Sequence, residues 1–126
     1  MNGVLVDTSV WVDHFRRRND ALVDLLGLDL VMVHPLVLGE IACGTPPDRG
    51  RTLADLQALS PTRQAGIQEV IDLVERERLF GLGCGLVDLL LLASTLLTPG
   101  ANLWTLDKRL SLLSDRFGVM HRPASH

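Results

Sequence analysis

Apolar residues are laid out along this chain in two ways: short unbroken runs, and longer stretches where they recur every three or four positions. Val4-Leu5-Val6, Leu30-Val31-Met32-Val33 and Leu103-Trp104-Thr105 are of the first kind, as expected of strands buried on both faces. Val119-Met120 reads as a last short strand. The second kind predicts helices from Ser9 through Phe15, from Asp20 to Leu26 with Asn19 as its cap, and from Leu36 to Cys43 behind Pro35. A further helix begins at Asp48, with Leu53, Leu56 and Leu59 at helical spacing and Ser60-Pro61 closing it. Thr62 then caps a helix from Arg63 to Leu79, whose expected buried stripe is Ile67, Val70, Ile71 and Val74. Leu86–Leu97 and Lys108–Phe117 complete the set. Strands that alternate with helices predict an α/β fold, a short parallel sheet flanked by helices, in a single domain over residues 1–126.

Composition narrows this little. The chain is 47% hydrophobic and 21% charged, with a positive mean hydropathy, which allows a well-packed core and leaves apolar surface for a partner. Its formal charge of −3 does not advertise nucleic-acid binding, yet acids gathered at one point with arginines at the rim would hide such a site from the total. Of the twelve basic residues only Lys108 is a lysine. Cys43 and Cys84 stand far apart in no CxxC pattern, and Met1-Asn2-Gly3 carries no leader, so reduced thiols and a cytoplasmic setting are expected. Leu86–Leu97 is too short to span a bilayer and contains Asp88, so no membrane segment is expected.

The chemistry concentrates at element junctions. Asp7 ends the first strand abruptly, Glu40 sits on the helix after the second, Asp88 is in the first turn of its helix, and Asp107 follows the last long strand. In a parallel sheet the four converge at one end, where open α/β sheets bind ligands. Four hard oxygen donors without a matching His or Cys cluster select Mg²⁺ or Mn²⁺ over zinc, and a cation-polarised water hydrolyses phosphodiesters. Each acid also has a plainer role: Asp7 or Asp107 as a helix cap, Asp88 as a first-turn acid favoured by the helix dipole, Glu40 as an exposed helix residue, although Leu38 and Ile41 suggest apolar surroundings. The loop Gly81-Leu82-Gly83-Cys84-Gly85 resembles a phosphate-cradling loop only superficially, since no strand precedes it.

Taken together, Asp7-Thr8-Ser9-Val10-Trp11-Val12-Asp13, the Glu40 helix, Gly85-Leu86-Val87-Asp88 and Leu103-Trp104-Thr105-Leu106-Asp107-Lys108-Arg109-Leu110 resemble the successive motifs of PIN-domain ribonucleases, most nearly the VapC toxins. The resemblance implies a PIN-like three-layer sandwich and a Mg²⁺-dependent endoribonuclease that cuts tRNA, rRNA or mRNA, often as a homodimer. It further implies inhibition by a small VapB-type antitoxin. Asp7, Glu40, Asp88 and Asp107 fall on the family's acidic quartet, and Thr105 on its hydroxyl position near the last acid, with Thr8 or Ser9 in a similar role near Asp7. Where some members carry a further acid, this chain has Arg109, and Leu89 to Leu92 is bulkier than the small residues often seen after the third acid.

RNA needs cations near such a pocket, and Arg16 to Arg18, Lys108, Arg109 and Arg116 are the candidates. Trp11 and Trp104 are expected in the core or at an interface. An antitoxin groove would draw on Trp11, Phe15, Leu22, Leu25, Leu26 and the Leu53/Leu56 face. No chemistry is assigned to His14, His34, His121 or His126. Two other classes also place an Asp after the first strand. A HAD-like phosphatase wants a second acid two residues on, where Ser9 stands; a non-catalytic module would be either a receiver, whose acid pair and later phosphoacceptor find no place here, or an inactive PIN scaffold.

Overall fold

A computed structural model describes residues 3–124; Met1, Asn2, Ser125 and His126 lie outside the described residues. The elements run β1 (Gly3–Val6), α1 (Thr8–Arg16), α2 (Asp20–Gly27), β2 (Val31–Val33), α3 (Pro35–Ala42), α4 (Arg49–Gln57), β3 (Ser60–Pro61), α5 (Ile67–Glu77), α6 (Leu86–Leu97), β4 (Ala101–Trp104) and α7 (Lys108–Arg116). The sheet order is β3-β2-β1-β4, and all three pairings are parallel. Chain order therefore moves outward from β1 on one side as far as β3, then crosses to β4 on the other. β1 is the switch point, and the crevice beyond its carboxyl end is where such sheets bind ligands. Met120 adds an isolated parallel bridge to Leu103, all that forms of the last expected strand.

β1 is central because it can be buried on both faces. Val4, Leu5 and Val6 are 5%, 0% and 0% exposed, and they join Val31, Leu103 and Trp104 of the neighbouring strands in one core. Registers Val4↔Val31 and Val6↔Trp104 lock the three strands side by side. Six of the described helices fall into two packed groups, α1 on α3 and α3 on α4, and α5 and α7 on α6. That grouping is the α/β sandwich expected from the alternation of elements.

Residues 60–66 depart from expectation. Ser60-Pro61 does not merely end a helix but pairs with β2 as the edge strand, a position that tolerates proline. The next helix starts at Ile67, not Arg63, because the intervening N–H groups find other acceptors. Thr62 N donates to Val33 O, Arg63 N to Thr98 Oγ1 and Ala65 N to Ser94 Oγ. Gly66 is the actual N-cap, its N–H taken by Glu69, while Thr62 is buried with its hydroxyl unpartnered. The stripe is rotated as well: Val70 and Leu73 are buried, whereas Ile67 and Ile71 are 58% and 46% exposed. Spacing alone did not reveal which side of α5 meets α6.

Leu5→Ala, opening a cavity at the sheet centre, is expected to cost about 2–5 kcal/mol in urea denaturation. Ile71→Ala is expected to change stability by less than about 0.5 kcal/mol, as at ordinary surface positions.

Candidate active site

Asp7 directly follows β1 and is only 7% exposed. Although it is the N-cap residue of α1, its side chain does not cap that helix. Instead its Oδ2 accepts two hydroxyl hydrogen bonds, from Ser9 at 2.7 Å and from Thr105 at 2.8 Å. Ser9 Oγ in turn accepts from Leu106 N, and Thr105 Oγ1 from Asp107 N. The carboxylate is thus clasped between the first turn of α1 and the segment leaving β4, across 98 residues of sequence.

The other acids are held by one oxygen too. Thr8 Oγ1 donates to Glu40 Oε1 at 2.8 Å, tying α1 to α3. Asp107 is a true cap, Oδ1 accepting from Leu110 N at 2.9 Å. The Gly85 backbone stabilises the ionised form of Asp88. No hydrogen bond among the described residues reaches Asp7 Oδ1, Glu40 Oε2 or Asp107 Oδ2. Each of these carboxylates is therefore oriented through one oxygen and keeps the other available, an arrangement suited to monodentate ligation of a hard cation.

Electrostatics shows that the acids share a neighbourhood. Burial pushes the Asp88 carboxyl above its ordinary range, and the charges of Asp7, Asp107 and Glu40 push it further, against the Gly85 hydrogen bond. No ion pair among the described residues compensates any of the four. Nor do three or more described His, Cys, Asp or Glu side chains close into a metal-holding group. The donor set fits an open site in which Mg²⁺ keeps several waters, rather than a cage. Glu40 differs from expectation in being exposed, because α3 turns this residue outward between half-buried Leu38 and buried Ile41.

Two hollows lie along α1, and of the four acids Glu40 lines the first. One, of about 450 Å³, runs from Thr8 and Glu40 past Val12 to Arg16 and Pro46. The other, of about 220 Å³, is lined by Trp11, Phe15, Leu26 and Leu56, with His14 and Asp55. Phe15 borders both, so the two hollows are neighbours along α1, with Glu40 at the edge of the first. Leu22, also expected in this groove, is fully buried and belongs to the core.

Among the candidate cations, Arg18 pairs with Asp20, and Arg116 donates to Glu77 O while its guanidinium sits over Phe117. Trp104 packs against His121 in the core, and Trp11 stacks on Phe15 with its indole N–H unpartnered.

With this geometry in view, comparison with known proteins is decisive. The PIN domain family model matches residues 4–115. The chain belongs to the PIN-domain family. Two curated relatives named Ribonuclease VapC32, from Mycobacterium tuberculosis strains CDC 1551 / Oshkosh and ATCC 25618 / H37Rv, are each 46% identical over 116 residues. The match covers 92% of this chain and 94% of each relative. The phosphatase and receiver alternatives fall with this assignment. No helix among the described residues is long and apolar enough to cross a membrane.

Sequence reasoning missed two features of this PIN domain. The Thr8–Glu40 bond joins residues 32 apart and has no local signal. His34, assigned no chemistry, is a buried latch. Its Nδ1 accepts from Leu36 N and caps α3, which leaves the proton on Nε2 to meet Ser94 Oγ on α6. The only advance hint was His34-Pro35 at a strand–helix junction.

Asp88→Asn is expected to raise the melting temperature in metal-free neutral buffer, since it removes a half-buried charge repelled by three others; a lowered value would contradict this. The histidines act in the opposite sense to Asp88. Burial holds His34 and His121 below their ordinary pKa, so the unfolded chain takes up those protons first. Their stabilisation is complete above the ordinary value near 6.5 and drains away as pH falls through the folded-state values. His34→Asn keeps a cap acceptor but cannot titrate, so its melting temperature is expected to fall less than wild type's between neutral pH and pH 5.

Proposed function

We propose that this PIN-domain protein is a Mg²⁺- or Mn²⁺-dependent endoribonuclease toxin that hydrolyses RNA phosphodiester bonds. The observation that carries the reading is the set of four uncompensated carboxylates, Asp88 and the three around it, each anchored by the protein at one point. The name Ribonuclease VapC32 on relatives matched over most of their length adds RNA as the substrate class.

In this reading Asp7, Glu40, Asp88 and Asp107 hold the cation. When bound, a divalent cation supplies Lewis acidity toward a phosphate oxygen and makes water a competent nucleophile near neutral pH. Thr105 and Ser9 hold the Asp7 carboxylate through Oδ2 and leave Oδ1 free, so that no reorientation is needed at the moment of reaction. Thr8 does the same for Glu40 from the adjacent residue.

The paired hollows along α1 suit an amphipathic helix of a small VapB-type antitoxin. Its apolar face would meet Trp11, Phe15, Leu26 and Leu56, and a basic side chain would reach Glu40 at the edge of the neighbouring hollow. The reading also carries the family's homodimer, cytoplasmic setting and single domain spanning 1–126.

Sequencing RNA 5′ ends after induced expression is expected to show discrete cuts that disappear with Asp7→Asn or Asp88→Asn. In vitro, losing a ligand to the cation is expected to lower the rate about 10²-fold or more, the equivalent of several kcal/mol of transition-state stabilisation. Chelation should abolish cleavage, and Mg²⁺ or Mn²⁺ should restore it. Cleavage indifferent to both substitutions would remove these residues from the mechanism.

A further inference from the structure

The glycine-spaced loop before α6 has no part in the mechanism so far, yet its conformation is specific. Gly81 and Gly83 lie at φ +73° and +89°, in the region that favours glycine. At Gly83 the backbone is also closely covered. A Cβ built there would stand 2.6 Å from Arg109 Cδ, 2.7 Å from Nη1 and 2.8 Å from Nε. Arg109, from the first turn of α7, thus lies back across the loop with its guanidinium against a residue that has no side chain.

Two further observations place that guanidinium beside the acids and leave it available. The neighbouring Cys84 thiol feels the charges of Asp88, Asp107 and Arg109 together. Arg109 nevertheless makes no ion pair or hydrogen bond among the described residues. Arg18 and Arg116, by contrast, are engaged with protein groups. A guanidinium lying beside an acidic cluster without pairing to it is suited to an anion from outside.

We propose that Arg109, seated across Gly83, binds a backbone phosphate of the RNA beside the scissile bond. This rests on the nuclease reading above. The planar fork of arginine matches two phosphate oxygens at once, and such contacts set the register of a nucleic acid without reading its bases. The positive charge also offsets the repulsion that a polyanion meets on approaching four carboxylates. In this account Gly83 is glycine so that Arg109 can lie down there, and the loop serves as the arginine's seat.

The test measures binding of a short single-stranded RNA to Asp88→Asn protein across a salt series, and KM and kcat in the otherwise wild-type chain. Arg109→Ala is expected to weaken binding roughly tenfold and to reduce the slope of log affinity against log salt by about 0.7, the value for one phosphate contact on a single strand. In the active chain it should raise KM more than it lowers kcat. Arg109→Lys should recover the salt slope but only part of the affinity. Arg51→Ala, which removes an exposed arginine paired with Asp55 on α4, should leave the slope unchanged. Gly83→Ala should weaken binding with all charges retained. An unchanged slope in Arg109→Ala, with cleavage by the wild type intact, would overturn this assignment alone. A wild-type chain that neither binds nor cuts RNA would overturn the nuclease reading, and Arg109's role with it.

Discussion

The Asp7 carboxylate is the point on which the arrangement turns. It stands at the carboxyl end of the central strand, nearly buried, and survives there because the Ser9 and Thr105 hydroxyls converge on a single oxygen. Hydrogen bonds to a buried anion are stronger than neutral ones, and leaving it unpaired would be costly. The clasp joins the first turn of α1 to the end of β4, so the packing of β1 against β4 and the geometry at the acids are one constraint. Ser9 and Thr105 then pass hydrogen bonds on to Leu106 N and Asp107 N, which sets the start of α7 and with it the fourth acid.

The same economy recurs at the other carboxylates. A threonine hydroxyl holds Glu40, and a helix-cap interaction holds Asp107. The Gly85 backbone favours ionised Asp88. Local backbone geometry and short hydroxyl side chains do the positioning, and no described cation is spent on it. The consequence is an electrostatic debt: Asp88 and three negative groups around it, with no described counter-charge in contact. Such a cluster lowers stability and favours binding of positive charge, the trade seen wherever a site stores repulsion for later use.

The latch at His34 fixes the other side of this frame. It caps α3, the helix that carries Glu40, and anchors it to Ser94 of α6, the helix that carries Asp88. Ser94 also accepts from Ala65 N, so the extended segment ahead of α5 is tied to the same hydroxyl. A few short polar contacts in an otherwise apolar interior thereby set the relative positions of the helices that bear the acids.

The sequence by itself determined β1, β2 and β4 and the parallel sheet they form, because unbroken apolar runs such as Val4–Val6 have no stable place except between two layers, while the edge strand at Ser60-Pro61 reads in sequence only as a helix end. It also determined that acids stand at the ends of those runs, and the motifs around Asp7, Asp88 and Asp107 carried the PIN resemblance. Tertiary structure decided what each polar group does. Asp7 and Asp107 read alike as helix caps, yet only the Asp107 side chain caps its helix, since the Asp7 carboxylate is taken by Ser9 and by Thr105, 98 residues away. The buried side of α5, the start of that helix at Ile67, and the seating of Arg109 over Gly83 were likewise settled by partners distant in the chain. Hydrophobic period is a local property and can be read along one segment; the partner of a hydrogen bond or charge is a property of the packed whole.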